Sequence, residues 1–182
     1  VLINFLFIFS LNMIFKIKCQ GLQMNINLSK KDIDNESQIK SMFDGIACRY
    51  DFLNKLLSLK SDVRWRKNLV NMLAANKNGV YLDVATGTGD VLFEAIKQQK
   101  YKTYLGVDIS EGMLKIAKKK AQAYVQKPTW SCMSAHKLGF SNNSIDAITI
   151  AFGIRKVSNS VLALSEFYRI LKPGGQLCIM EF

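Results

Sequence analysis

The stretch "VYLDVATGTGDVLFEAIKQQ" (residues 80–99) carries three signals in succession. "VYLDVA" (80–85) is a short apolar run with an acid near its end. A turn built on Gly87 and Gly89 follows, and "VLFEAIKQQ" (91–99) then has helical spacing. A strand that passes through glycines into a helix opens a β-α-β unit. The pattern repeats outward from there: "TYLGVD" (103–108) is a second strand ending in an acid, and "SEGMLKIAKKKAQAYV" (110–125) a helix with Met113, Ile116, Ala117, Ala121 and Tyr124 on one stripe. "TWSCM" (129–133) and "IDAITIAF" (145–152) read as two further strands. "SNSVLALSEFYRILK" (158–172) reads as a helix with Val161, Leu164, Phe167, Tyr168 and Leu171 inward, stopped by Pro173-Gly174-Gly175 before a fifth strand, "QLCIMEF" (176–182). Strand-helix units of this length imply right-handed crossovers and a Rossmann-like α/β fold, doubly wound, with a mostly parallel sheet.

Upstream, residues 36–73 read as two or three helices with a turn near 59–62. Preceding the first strand, they suit a lid over the carboxyl ends of the strands. The domain is expected over 36–182, with further strands after Phe182, because the chain stops inside its last strand. The apolar block "VLINFLFIFSLNMIF" (1–15) is short for a spanning helix and lacks the flanks of a signal peptide. Met24 opens an ordinary polar start. Residues 1–23 are therefore expected to be a targeting extension or upstream translation, and 1–35 to stand outside the domain.

Of the 182 residues, 49% are hydrophobic and 21% charged, which suits one globular domain with a continuous core. The formal charge is +11, from 25 basic and 14 acidic residues. The lysines are scattered, with no arginine-rich run and no aromatic interleaving, so a nucleic-acid partner is excluded. "KIAKKKAQ" (115–122) reads as a solvated helix face, with a membrane-facing patch as the alternative. The four cysteines form no C-x-x-C pair, which argues against zinc and a disulfide framework. Cys132 and Cys178 are expected to be buried thiols.

Glycines let a ligand approach the backbone, and a helix N-terminus offers N–H groups to it. The dinucleotide fingerprint G-x-G-x-x-G fails here because Leu92 takes the third glycine position, and no Walker lysine follows. Asp90 at the mouth of the helix disfavours a pyrophosphate and favours a cationic ligand. An NAD-dependent oxidoreductase is thereby set aside. Asp108 alone reads as either a helix N-cap or an acceptor for two ribose hydroxyls.

The loop Asp83-x-Ala85-x-Gly87-x-Gly89 resembles the S-adenosyl-L-methionine loop of class I methyltransferases. Five segments, "FDGIACRYDFLNKLLSL…WR", "DVATGTGD", "GVDISEGML", "LGFSNNSIDAITIAFGIRKV" and "ALSEFYRILKPGG…EF", resemble the ubiquinone/menaquinone-biosynthesis C-methyltransferases, the UbiE/MenG type. That resemblance implies cofactor contacts at Asp83, Ala85, Gly87, Thr88, Gly89, Asp108, Ile109, Ser134, Ala135 and Ala151. Ser134 replaces the usual Asp or Asn beside adenine, His136 a Glu, Gly139 a Pro, and Lys156 an Asn. His136 reads as an exposed loop residue.

The implied reaction methylates a ring carbon of a polyprenyl benzoquinol or demethylmenaquinol, and asks for no metal. Arg155 is the candidate to stabilise phenolate charge, or else pairs with Asp51 or Glu166. Tyr50, Asp51 and Asn54 offer polar groups to the ring hydroxyls. Phe43, Ile46, Phe52, Leu53, Leu56 and Leu57 form core or part of a tail channel. A membrane surface, a quinone-synthesis complex and a second copy of the chain are the partners this reading allows. The place is the cytoplasmic face of a membrane or the mitochondrial matrix side. Rivals are a methyltransferase of another phenol or a sterol, and a non-catalytic subunit of a quinone-synthesis complex.

Overall fold

The structure, a computed structural model, describes residues 13–18, 29–58 and 61–181; side chains at 13–18, 30, 31, 33, 48, 51–58 and 61 fall outside it. The elements in order are β1 (Met13–Lys18), α1 (Lys30–Ser58), α2 (Ser61–Asn71), β2 (Val80–Val84), α3 (Asp90–Gln98) and β3 (Thr103–Asp108). Then come α4 (Glu111–Ala121), β4 (Thr129–Cys132), β5 (Ile145–Ala151), α5 (Ser160–Ile170) and β6 (Leu171–Glu181), with a 3-10 turn at Ile154–Lys156 ahead of α5.

The sheet order is β1-β6-β5-β2-β3-β4. Strands β2 to β6 run parallel to one another, and β1 lies antiparallel on β6, with Met13 opposite Glu181. This edge strand departs from the expectation that residues 1–23 stand outside the fold. Likewise α1 begins at Lys30, ahead of the expected 36.

Successive side chains on a strand point to opposite faces, so each buried strand feeds two cores. Tyr81, Ala147, Cys178 and Met180 face one cluster with Leu69 and Val70 of α2 and Leu92 and Phe93 of α3. Leu82, Ile148, Leu177 and Ile179 face the other, with Ala163, Phe167 and Ile170 of α5. The buried side of α5 is therefore turned from the expected stripe: Val161 is 45% exposed, while Ala163 lets the helix lie close to the sheet. Pro173-Gly174-Gly175 does not separate helix from strand either. Leu171 already pairs with Ile145, and the register resumes at Ala147 and Gln176, leaving 172–175 as a bulge. Cys178 is buried as expected, but Cys132 is exposed. Among the described residues no helix is long and apolar enough to cross a membrane.

Candidate functional site

From β2 the chain steps outward to β3 and β4, then returns to β5 on the other side of β2. The carboxyl ends of β2 and β5 thus border a crevice at the point where the winding reverses. Both strands leave this point in left-handed conformation at non-glycine residues, Ala85 at φ 51 and Phe152 at φ 54. Strained backbone of this kind persists where the surroundings hold it, often beside a ligand.

Two adjoining cavities fill the crevice. One, of about 80 Å³, lies between Asp108, Ile109, Ala135 and His136 on the domain and Glu36, Ile39 and Phe43 on α1. The other, of about 360 Å³, runs over Thr86, Thr88 and Asp90 to Asp62, Trp65 and Arg66 of α2 and to Arg155. Tyr50, Ala85, Gly87, Ala151, Phe152 and Lys156 line both. The helices before β2 therefore do form a wall over the strand ends.

Gly87 and Gly89 do different things. At Gly87 (φ 56) an added Cβ would meet nothing within 4 Å, so the backbone lies open to the cavity. At Gly89 (φ 87) a Cβ would come within 2.8 Å of the Trp130 ring and 2.9 Å of Phe93, so here the glycine serves packing. Beneath the loop, Asp83 is 1% exposed and accepts from Thr86 Oγ1 and Thr149 Oγ1, each at 2.6 Å. Burial pushes its carboxyl up to about 7. Asp83 thus braces the loop from inside the sheet.

Asp108 accepts the Gly87 N–H at 2.7 Å and the Ser110 N–H at 2.9 Å. Burial raises its carboxyl above the ordinary range. It is not the N-cap of α4: Ser110 holds that place and accepts from the Met113 N–H. Ala135 and Ile109 stand in the wall. At the Ser134 position the wall is made by its neighbours; Ser134 Oγ lies 3.2 Å from His136 Nδ1. His136 is 6% exposed, contrary to the reading of an exposed loop residue, because α1 covers it and brings Glu36 Oε1 to 3.7 Å from Nδ1.

Three charged residues have partners that arrive from distant elements. Asp90 does not wait for a cationic ligand: Arg66 Nη1 holds it at 2.9 Å and Lys120 Nζ at 2.5 Å. Lys120 in turn leaves the solvated face of α4 and reaches Thr88 Oγ1 at 3.2 Å. Arg155 pairs with Glu181. Its Nε lies 3.2 Å from Glu181 Oε1 on β6, its side chain is 52% exposed, and Glu166 pairs with Arg169. Phe43 lines a cavity and Ile46 is 37% exposed. Asp51 and Asn54, with Phe52, Leu53, Leu56 and Leu57, have side chains outside the described residues.

Two wall residues escaped the sequence reading. Ser158 Oγ is buried and has no hydrogen-bond partner among the described residues. Lys156 lines both cavities and sets its ammonium 4.5 Å from the Phe43 ring centroid. Its signal was present, a second cation beside Arg155 directly after a strand, but only as a departure from a motif. Among the described residues no group of three or more His, Cys, Asp or Glu could hold a metal ion.

The arrangement matches known proteins. The demethylmenaquinone methyltransferase of Bacteroides fragilis is 39% identical over 161 residues, 87% of this chain and 66% of that one. The ubiquinone/menaquinone biosynthesis C-methyltransferase UbiE of Geobacter sulfurreducens is 44% identical over 148 residues, 80% of this chain and 58% of that protein. This chain thus spans roughly six-tenths of the length of such relatives. Among solved structures the cyclase SpnF superposes with a TM-score of 0.70 at 21% identity, over 80% of this chain and 60% of that one, which shows the fold alone. The ubiE/COQ5 methyltransferase family matches residues 30–182, and the chain belongs to that family.

Proposed function

We propose that this chain seats S-adenosyl-L-methionine over the Gly87 loop and moves its methyl group to a ring carbon of a polyprenyl benzoquinol or demethylmenaquinol. The observation that carries this reading is the open backbone at Gly87 beside the buried carboxylate of Asp108, at the winding reversal of the sheet. The residues fit the cofactor. Each Asp108 oxygen takes one backbone N–H and keeps acceptor capacity for a ribose hydroxyl. Ser158 Oγ offers a buried polar group that lacks a partner among the described residues. Thr88, Ile109, Ala135 and Ala151 complete the walls. When bound, the cofactor supplies an electrophilic methyl on a cationic sulfur.

The protein's part is to bind, orient and exclude water. Tyr50, on the wall of both cavities, orients a ring hydroxyl, with Asp51 as its neighbour on α1. Arg155 adds positive potential from the rim, where ionised oxygen on the acceptor is favoured. The names of the relatives support a quinol as acceptor. A polyprenyl quinol resides in a bilayer, so we place the work at a membrane face, on the cytoplasmic side or in the mitochondrial matrix. The +11 charge suits contact with anionic headgroups; a quinone-synthesis complex and a second copy of the chain are the other partners proposed.

The test is transfer of a deuterated methyl group to a short-tailed demethylmenaquinol and to the matching benzoquinol. A ring-methylated, deuterated product is expected with at least one of them. Cofactor bound with neither ring methylated would overturn the assignment.

A further inference from the structure

Lys156 ends the 3-10 turn that follows β5, and its backbone N–H bonds to Gly153 O at 3.0 Å. The turn carries the side chain inward, onto the wall shared by the two cavities. Its ammonium rests over the Phe43 ring, and Phe43 meets Tyr50 edge-on, with centroids 6.1 Å apart and planes at 74°. Two α1 aromatics and one cation thus meet at the junction. Among the described residues no carboxylate lies within ion-pair distance of Lys156. Arg155 occupies Glu181, while Asp90 is held by Arg66 and Lys120. A half-buried cation over an aromatic face, with no ion-pair partner among the described residues, is poorly compensated and gains most from an anionic atom in the cavity.

We propose that Lys156 is a catalytic residue of this chain, gripping the ionised ring oxygen of the phenolic methyl acceptor at the junction of the two cavities. This rests on the cofactor and acceptor reading above. The Phe43 face packs against the acceptor ring while the ammonium meets its oxygen, and a phenolate so held is the stronger carbon nucleophile. Burial, aided by the neighbouring Arg155 and opposed by Glu181, makes the Lys156 ammonium lose its proton more readily than an ordinary lysine does. Formation of an ion pair with the acceptor oxygen relieves that strain. Among the described residues, Tyr50 from α1, Arg155 from the same turn and Glu181 from β6 are the titratable groups around it.

The experiment needs no turnover. The full chain is loaded with S-adenosylhomocysteine, followed by calorimetry, and titrated with 4-nitrophenol, whose ionised form is read by its visible absorbance across pH. Wild-type protein is expected to make the bound phenol about tenfold more acidic, as an opposite charge at contact distance does. Lys156→Met should abolish the shift and Lys156→Arg keep most of it, with S-adenosylhomocysteine affinity unchanged in both. An equal shift in wild type and Lys156→Met would overturn the proposal. So would a Lys156→Met protein that keeps the shift but loses cofactor affinity, since the lysine would then hold the cofactor's carboxylate. Failure of S-adenosylhomocysteine to bind wild-type protein would overturn the cofactor reading itself, and this inference with it.

Discussion

Replacing Asp83 by Asn should flatten the pH dependence of folding stability. Asp83 is fully buried between Thr86 and Thr149, and its carboxyl stands at about 7 rather than the ordinary 3.8. Between those values the folded protein keeps a proton that the unfolded chain has released. Stability from this group is therefore fully present below about pH 4 and is lost as pH rises through about 7. At about 1.4 kcal/mol per pH unit, the loss across the window is roughly 4 kcal/mol. An asparagine can take the same place because the hydroxyls around it can reverse: Thr149 Oγ1 also lies 2.5 Å from Tyr81 Oη, so it can accept from the amide and donate to the tyrosine. The assay is urea unfolding followed by circular dichroism, at intervals from about pH 4 to pH 8. Wild-type stability should fall by roughly 4 kcal/mol relative to Asp83→Asn over that range. Asp108, raised in the same direction chiefly by its own burial, is present in both proteins, so most of its contribution drops out of the difference. Parallel curves for the two proteins would refute the reasoning.

Gly89→Ala combines a left-handed residue with a Cβ driven against Trp130 and Phe93, and should cost roughly 2–4 kcal/mol by the same unfolding assay. Arg155→Ala should lower methyl transfer roughly tenfold, less than loss of a buried oxyanion donor, because the side chain is half exposed and paired with Glu181. Cofactor affinity, measured by calorimetry, should stay within about twofold, since lost uniform binding would appear there instead.

What the sequence disclosed, and what it concealed, divides along the range of the interactions concerned. The strands from Val80 to Ala151 were legible within a residue or two, because apolar runs, glycine turns and the terminal acid Asp108 are local signals. The same holds for the open loop at Gly87, where left-handed backbone demands its own residue type. The buried side of α5 was not legible: its apolar residues allow more than one stripe, and the sheet chose the one with small Ala163 on it. His136 looked exposed because nothing near it in sequence covers it; Glu36, a hundred residues upstream, does. Asp90 reads in sequence as a lone charge and Arg155 as a phenolate stabiliser or a partner of Asp51 or Glu166, whereas Arg66, Lys120 and Glu181 arrive through the fold. Lys156 was visible as a residue but not as a position, since only the packing of α1 sets it against Phe43 at the junction of the cavities.

We propose that the crevice between β2 and β5 seats S-adenosyl-L-methionine, with Asp108 as the acceptor for its ribose. Calorimetric titration of the wild-type chain and of Asp108→Ala with that cofactor tests it directly. Wild-type protein should bind at a single site, and the variant, shown to be folded by circular dichroism, should bind roughly a hundredfold more weakly, the worth of a charged hydrogen-bond acceptor lost from a buried site. Absence of binding by the wild type, or equal affinity in the two proteins, would contradict it.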